Sequence, residues 1–502
     1  MKRRFTGAAL ALAVIAAAGL AAMFAGRAAT APAALPTPHP TLSDYQLIVR
    51  GTTPPTEAQC EAVARTCFTP QAIQSAYNVG PLYASGFDGT GMTIAIVDSW
   101  GSDTMAHDLH VFDQAFGLPP MCGEEGVACK PRMPKFSELS LQGSPATIEQ
   151  PGNGTHLEDK TIWALEVALD VETSHAIAPG ANILLVHTPT AETLGVQGFP
   201  QMMMAEDYVV TNHLANVISQ SFASAEDAFS SFQSLLNLRN AYEDAAANNV
   251  TVLAASGDGG TANFTKPPTA FGGSLIPYPT VEWPASDPLV TGVGGTYLCT
   301  DPTASTNQPR TKYVKPGIGA KCGNNAFNPG GIYDEVAWTF SGGGFSHVFA
   351  KPSWQNALPA GSSFTGTTRG VPDVAFQASA GTGALVYLSL PPDGNASNVG
   401  DTGWYDIGGT SLSCPQWAGL VAIADQINRG GLGLINPALY KIGADPARYA
   451  NDFFDIATGN TNQADPSVPG YPATAGWDAV TGLGTPNAAK LVPDLVRAAN
   501  GH

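Results

Sequence analysis

The chain has 502 residues, with 23 Lys and Arg against 41 Asp and Glu, a formal charge of −18. That balance excludes sequence-independent binding of nucleic acid, which needs cations to neutralise phosphates. Hydrophobic residues at 44% exclude wholesale disorder, while 55 Gly, 40 Pro and only 13% charged residues indicate a loop-rich globular chain.

In chain order, Lys2, Arg3 and Arg4 precede an uncharged, Ala- and Leu-rich run from Gly7 to Gly26, and small residues follow at Ala28, Ala29 and Ala31. This reads as an export signal over residues 1–31. A retained membrane anchor is the rival reading, because about 20 apolar residues can span a bilayer. The segment holds four basic residues and no acid, so its removal takes the charge from −18 to about −22. Residues 32–68 are rich in Pro and Thr and read as an extended arm or short pro-segment. Six of the seven cysteines fall as near neighbours, Cys60 with Cys67, Cys122 with Cys129 and Cys299 with Cys322. Short-loop disulfides in an oxidising compartment follow. Zinc is the alternative, but no CxxC pair or suitably spaced His accompanies them. Cys414 is left over, either a small buried hydrophobe or a thiol near chemistry.

The body runs from about residue 69. Met92–Val97, Ile183–Val186, Val217–Ile218 and Val250–Ala255 are short apolar runs, as expected of strands buried on both faces of a parallel sheet. Helical stretches at Thr161–Thr173, Ser231–Asn248 and Ser411–Asn428 alternate with them. The expectation is an α/β layered fold, with reactive groups at strand ends and on the helices that follow.

Three clusters carry candidate chemistry. In Trp163–Ala181, Glu166 and Asp170 stand four apart on one helix face, where two carboxyls in a partly dry site titrate as a unit. Two solvated helix carboxylates are the ordinary alternative. Asp258 lies in the Gly-rich turn after Val250–Ala255. It is either turn chemistry or a protonated acid able to donate to an oxyanion. Ser411, in Gly408–Pro415, opens a helix where free N–H groups favour negative charge, as an acyl-transfer Ser requires. An ordinary Ser N-cap would look the same.

Together these pieces resemble the sedolisin family, the serine-carboxyl peptidases with a subtilisin-like fold. The matching motifs, in order, are GMTIAIVD (91–98), the E-x-x-x-D helix with AIAPGA (176–181), ISQSF (218–222), AASGDGG (254–260), VTGVGGT (290–296), GGGFS (342–346), PDVAF (372–376), GGTSLSCP (408–415) and GWDAVTGLGTPN (476–487). The resemblance covers about residues 69 to 500. It implies one large α/β catalytic domain, a parallel sheet sandwiched by helices. It implies Ser411 as nucleophile, Glu166 as general base, Asp170 as the carboxylate orienting it and Asp258 as the oxyanion acid. It also implies one structural Ca²⁺, held by the carboxylates of Asp455 and Asp478 and the carbonyls of Ile456, Thr474 and Gly476. Oxygen-only loop ligands suit that ion. The family more often has Gly where this chain has Thr474.

The implied activity is secreted endopeptidase action at acidic pH on protein or peptide chains, by a monomer. A carboxylate base still accepts protons where a His base would be idle. Membrane association is expected only if the N-terminal segment is retained. Family members carry a long folded prodomain, whereas only about 35–40 residues lie here between the signal region and the catalytic start, too few to fold alone without staples. One rival is a subtilisin-type Ser-His-Asp peptidase using Asp98 and His156 with the Ser. Against it stand the E-x-x-x-D helix and an Asp at 258 where subtilisins use Asn. Another is an inactive secreted binding protein on the same fold.

Overall fold

The computed structural model describes residues 39–40, 42–141, 157–188, 198–265, 274–313, 322–326, 328–389, 402–459 and 461–502. The signal segment, residues 1–31, and His156 lie outside the described residues.

The chain enters its body through β1 (Leu42–Arg50). The central sheet is built from β2 (Thr93–Ser99), β3 (Phe136–Ser140), β4 (Asn182–Thr188), β5 (Val217–Gln220), β6 (Thr251–Ala255), β7 (Thr291–Leu298), β8 (Glu335–Ala337) and β9 (Val374–Gln377). Its spatial order is β8-β7-β6-β5-β2-β4-β3, with β9 also beside β7. Every pairing is parallel except β7 with β8. Four helices flank the site region: α1 (Leu157–Ile177), α2 (Gly198–Thr211), α3 (Asn240–Ala247) and α4 (Thr410–Asn428).

The period of two in a strand explains why the sequence shows unbroken apolar runs. Ile94 and Ile96 of β2, with Leu253 and Ala255 of β6, join Leu165, Leu169 and Val421 of α1 and α4 in one core cluster. The intervening Ala95, Val97, Val252 and Ala254 join Met202, Val209 and Tyr242 of α2 and α3 in another. Each large aliphatic side chain so buried contributes about 1.5–3 kcal/mol. The same alternation continues into the polar strand ends. Asp98 shares the face of Ile94 and Ile96, so it points to α1 and α4.

The long stretch read as one helix, Ser231–Asn248, is two helices, Phe232–Leu236 and α3. Arg239 stands at the break and forms a bidentate pair with Asp287, Nε to Oδ2 at 2.5 Å and Nη2 to Oδ1 at 2.9 Å. All three expected disulfides are formed, and Cys414 is a buried free thiol.

The arm contributes structure of its own. β1 pairs antiparallel with β11 (Gly403–Gly409), which also pairs with β10 (Ala384–Leu388). Leu42 stands opposite Gly409 and Arg50 opposite Gly403. Arg65 ties this strand down, 2.7 Å from Asp44 and donating to the Ala380 carbonyl at 2.7 Å. Among the described residues, no helix is long and apolar enough to cross a membrane.

Candidate active site

Strand β11 delivers Ser411. Gly409 has φ 141°, a conformation open to Gly, and a Cβ on Gly408 would lie 2.2 Å from the Ala380 amide nitrogen. The two glycines therefore allow a turn no other pair would make. Helix α4 then begins at Thr410, with Ser411 as its second residue and fully buried. The helix is pinned under the sheet by Trp417, whose indole N–H donates to the Ala375 carbonyl at 2.9 Å.

Helix α1 presents Glu166 and Asp170 one turn apart on the face packed against α4 and β2. Both are fully buried, as is Asp98 at the end of β2, so these are not solvated helix carboxylates. Glu172 points elsewhere and accepts the Tyr387 N–H at 2.9 Å. Burial, then the Asp98 charge, hold the Glu166 carboxyl well above the usual range. The Asp258 charge adds to this, while the Ser411 and Ser221 hydroxyls act the other way. Burial raises Asp170 likewise, followed by the charges of Asp98 and Glu166, and Ser221 Oγ opposes this by donating to Asp170 Oδ1 at 3.1 Å. Burial alone pushes Asp98 up to about 8. Neither Asp98 oxygen has a hydrogen-bond partner among the described residues. Three carboxyls thus share one dry compartment, where they cannot all ionise.

Asp258 closes the site from the turn after β6. Its Oδ1 accepts from Thr410 N at 2.8 Å and from Thr410 Oγ1 at 2.9 Å, and Thr410 Oγ1 accepts the Gly257 N–H at 3.0 Å. Ser411, Glu166, Asp170 and Asp258 are therefore brought together from three segments. Asp98 and Ser221 complete the cluster. The sequence pointed to Asp98 as a partner for His156 in the rival reading, and to Ser221 only as part of the ISQSF motif at 218–222. A charged residue ending an otherwise apolar strand was the available signal for Asp98. Cys414 faces Ser219, Sγ to Oγ 3.4 Å, and burial pushes its thiol up to about 12. It behaves as a small protonated hydrophobe.

Four of the five residues expected around calcium meet, and the fifth, Ile456, follows Asp455 in the chain. Asp455 Oδ2 accepts the Gly476 N–H at 3.0 Å, and Asp478 Oδ2 accepts the Thr474 N–H at 2.9 Å. Asp478 Oδ1 takes N–H donors from Val480 and Thr481, at 2.8 and 2.9 Å. Burial pushes Asp478 up to about 7, and the Asp455 charge adds to that. Among the described residues no group of three or more His, Cys, Asp or Glu is gathered as a metal cluster. The expected donor set is nonetheless of the kind a hard cation takes, two carboxylates whose charges oppose each other and three backbone carbonyls.

No family model matches the chain. Among curated proteins it is 30% identical over 453 residues to kumamolisin of Bacillus sp. (strain MN-32), covering 88% of this chain and 66% of that one. It is 30% identical over 352 residues to sedolisin of Pseudomonas sp. (strain 101), covering 70% and 52%. It is also 30% identical over 353 residues to human tripeptidyl-peptidase 1, covering 66% and 52%. The chain thus spans between about half and two thirds of the length of these relatives. Among solved structures it is similar to Pseudomonas sedolisin, a serine-carboxyl proteinase complexed with two molecules of pseudo-iodotyrostatin. The TM-score is 0.60 at 25% identity, over 86% of this chain and 98% of that one.

Proposed function

Because the chain belongs to the sedolisin family, the serine-carboxyl peptidases, we propose that it is an exported endopeptidase cleaving protein or peptide chains at acidic pH. The observation that carries this reading is the buried approach of the Ser411 hydroxyl to the Glu166 carboxyl, with Asp170 and Asp98 behind it.

The compartment holds one negative charge most cheaply. The first ionisation meets no neighbouring charge, and the second must oppose the first. The hydroxyls of Ser411 and Ser221 favour the ionised form of Glu166, which is the form a general base needs. Ser411 Oγ then attacks the scissile carbonyl carbon while its proton passes to Glu166, and Asp170 holds Glu166 in position. The oxygen that becomes negative accepts a hydrogen bond from protonated Asp258, at the positive end of α4. Collapse breaks the C–N bond, and Glu166 returns the proton to the leaving amine. Water repeats the sequence on the acyl ester and frees Ser411. A carboxyl base paired with a protonated oxyanion acid is the reason the proposed activity is placed in acid.

Calcium would be held by Asp455, Ile456, Thr474, Gly476 and Asp478, where it would offset the repulsion between the two carboxylates and hold the C-terminal loop. Export is supported by the three disulfides, and the intact mass of the protein recovered from culture medium reads out removal of residues 1–31. The function itself is tested by peptide cleavage from pH 3 to 8 with Ser411→Ala, Glu166→Ala and His156→Ala. Loss of turnover in the first two and an acidic maximum are expected. A maximum above pH 7, or loss only in His156→Ala, would transfer the base to the histidine.

A further inference from the structure

Arg65 holds the approach to the nucleophile at three points. Its side chain is 15% exposed. Nη2 lies 2.7 Å from Asp44 Oδ2, Nη1 donates to the Ala380 carbonyl at 2.7 Å, and Nη1 stands 3.9 Å from Asp406 Oδ2. All three partners border Gly408. Asp44 is opposite Gly408 in the β1–β11 register. Ala380 packs against it, since a Cβ on Gly408 would lie 2.2 Å from the Ala380 amide nitrogen. Asp406 shortly precedes Gly408 in β11, and Ser411 shortly follows it. The same loop takes the Gly409 N–H on the Ala378 carbonyl at 2.6 Å.

The end of β11 next to Ser411 is Gly408–Gly409, so no side chain anchors it and backbone pairing must. β11 is the middle strand of a three-stranded sheet. Without β1 it keeps only β10, and a two-stranded ribbon is marginal in water. We propose that Arg65 is a positioning residue for Ser411, clamping the arm strand β1 to the glycine turn ahead of the nucleophile and so making the arm a retained part of the working enzyme. This rests on the peptidase reading above. Arg65 is itself held in place. Its N–H donates to the Cys60 carbonyl at 3.0 Å, inside the loop closed by Cys60–Cys67, and Thr66 and Phe68 donate to the Gly381 and Gly383 carbonyls at 3.1 and 2.8 Å. Asp406 is fully buried, and neither of its oxygens has a hydrogen-bond partner among the described residues. Burial holds its carboxyl well above the usual range, and the Arg65 charge opposes this. A planar guanidinium can serve a carbonyl and carboxylates at once, which an ammonium point charge does less well. Without the clamp the turn gains freedom at Ser411, and a misplacement of about 1 Å can cost about a hundredfold in rate.

The test compares the full chain with Arg65→Ala, Arg65→Lys, Asp44→Ala and the double variant of Arg65→Ala with Asp44→Ala, on one peptide substrate and well below each Tm. Arg65→Ala should lower kcat by about tenfold while KM stays within about twofold. Arg65→Lys should recover part of that loss. Asp44→Ala should cost less than Arg65→Ala, and the double variant should fall no further than Arg65→Ala alone. Amide exchange over Gly403–Gly409 should rise in Arg65→Ala, while that over Thr93–Ser99 stays as in the native chain. Intact mass of the active protein should show residues 42–68 still attached. If Arg65→Ala loses its cooperative melt, Arg65→Lys and Asp44→Ala carry the same comparison. A lowered Tm with kcat and the Gly403–Gly409 exchange unchanged would make Arg65 merely structural and overturn the assignment, as would an active protein whose chain begins after residue 68. Absence of turnover in the native chain, with the exchange response present, would instead count against the peptidase reading.

Discussion

Replacing Asp98 by Asn should make the protein's stability depend less on pH, with a sign that the structure fixes. Asp98 is fully buried, and its carboxyl rises from an ordinary 3.8 to about 8 through burial. Between those values the unfolded chain ionises this group and the folded chain does not. The folded state then binds more protons, so stability falls as pH rises. The cost is absent below about pH 4, grows by roughly 1.4 kcal/mol per pH unit, and is complete above about pH 8. A shift of about four units gives a ceiling of roughly 6 kcal/mol. The neighbouring Glu166 and Asp170 share the compartment, so the single-residue effect falls below that ceiling. Asparagine cannot ionise and removes this part of the slope. Thermal unfolding of both proteins at half-unit steps from pH 4 to 8 provides the assay. The native chain should lose Tm across that range. The mutant's Tm relative to native should rise with pH, by the equivalent of about 2 kcal/mol or more at pH 8. A difference that stays flat, or moves in favour of the native chain at high pH, would show that Asp98 is not held neutral by burial.

Other outcomes follow from the same geometry. Ser411→Ala and Glu166→Ala should each lower kcat/KM by about a thousandfold or more while leaving the thermal melt cooperative. Chelation with EGTA should lower Tm by about 2–4 °C, and Asp455→Ala should abolish that response; an unchanged Tm in the native chain would remove calcium from the account. Arg369 and Asp373 form a fully buried pair, Nη2 to Oδ2 at 2.5 Å, with Tyr440 also donating to Asp373 at 2.9 Å. Arg369→Met should cost about 3–5 kcal/mol in denaturant unfolding, because it strands a buried charge. Gly257→Ala should cost about 1–3 kcal/mol, since φ is 105° and the new methyl would meet Glu282. It should also depress cleavage more than Gly259→Ala does.

The layered fold was legible because burial on both strand faces writes a continuous apolar signal over a few residues. Ile94 to Val97 needs no knowledge of what lies on either side. The candidate site was legible in a different way. Read alone, each motif had an ordinary explanation, and Glu166 and Asp170 in particular read as solvated helix carboxylates. What reverses that reading is α4, more than 200 residues later, packing over the same face of α1 and removing the water. Local spacing cannot report such an event, and only the ordered run of motifs pointed to it. The role of Ser221, read only as part of the ISQSF motif, was hidden for the same reason: its hydroxyl acts on Asp170, at 3.1 Å, and on Glu166, both about 50 residues earlier in the chain. The arm adds what composition does not carry. Its Pro and Thr content suggested an extended arm or a short pro-segment, and Leu42–Arg50 within it pairs with Gly403–Gly409, some 360 residues on. The strand it completes is the one that turns into Ser411, so the arm's backbone hydrogen bonds bear directly on where the nucleophile candidate stands. Composition describes what a segment would do in isolation; here the decisive partner is distant, and its glycines leave no side-chain pattern to announce it.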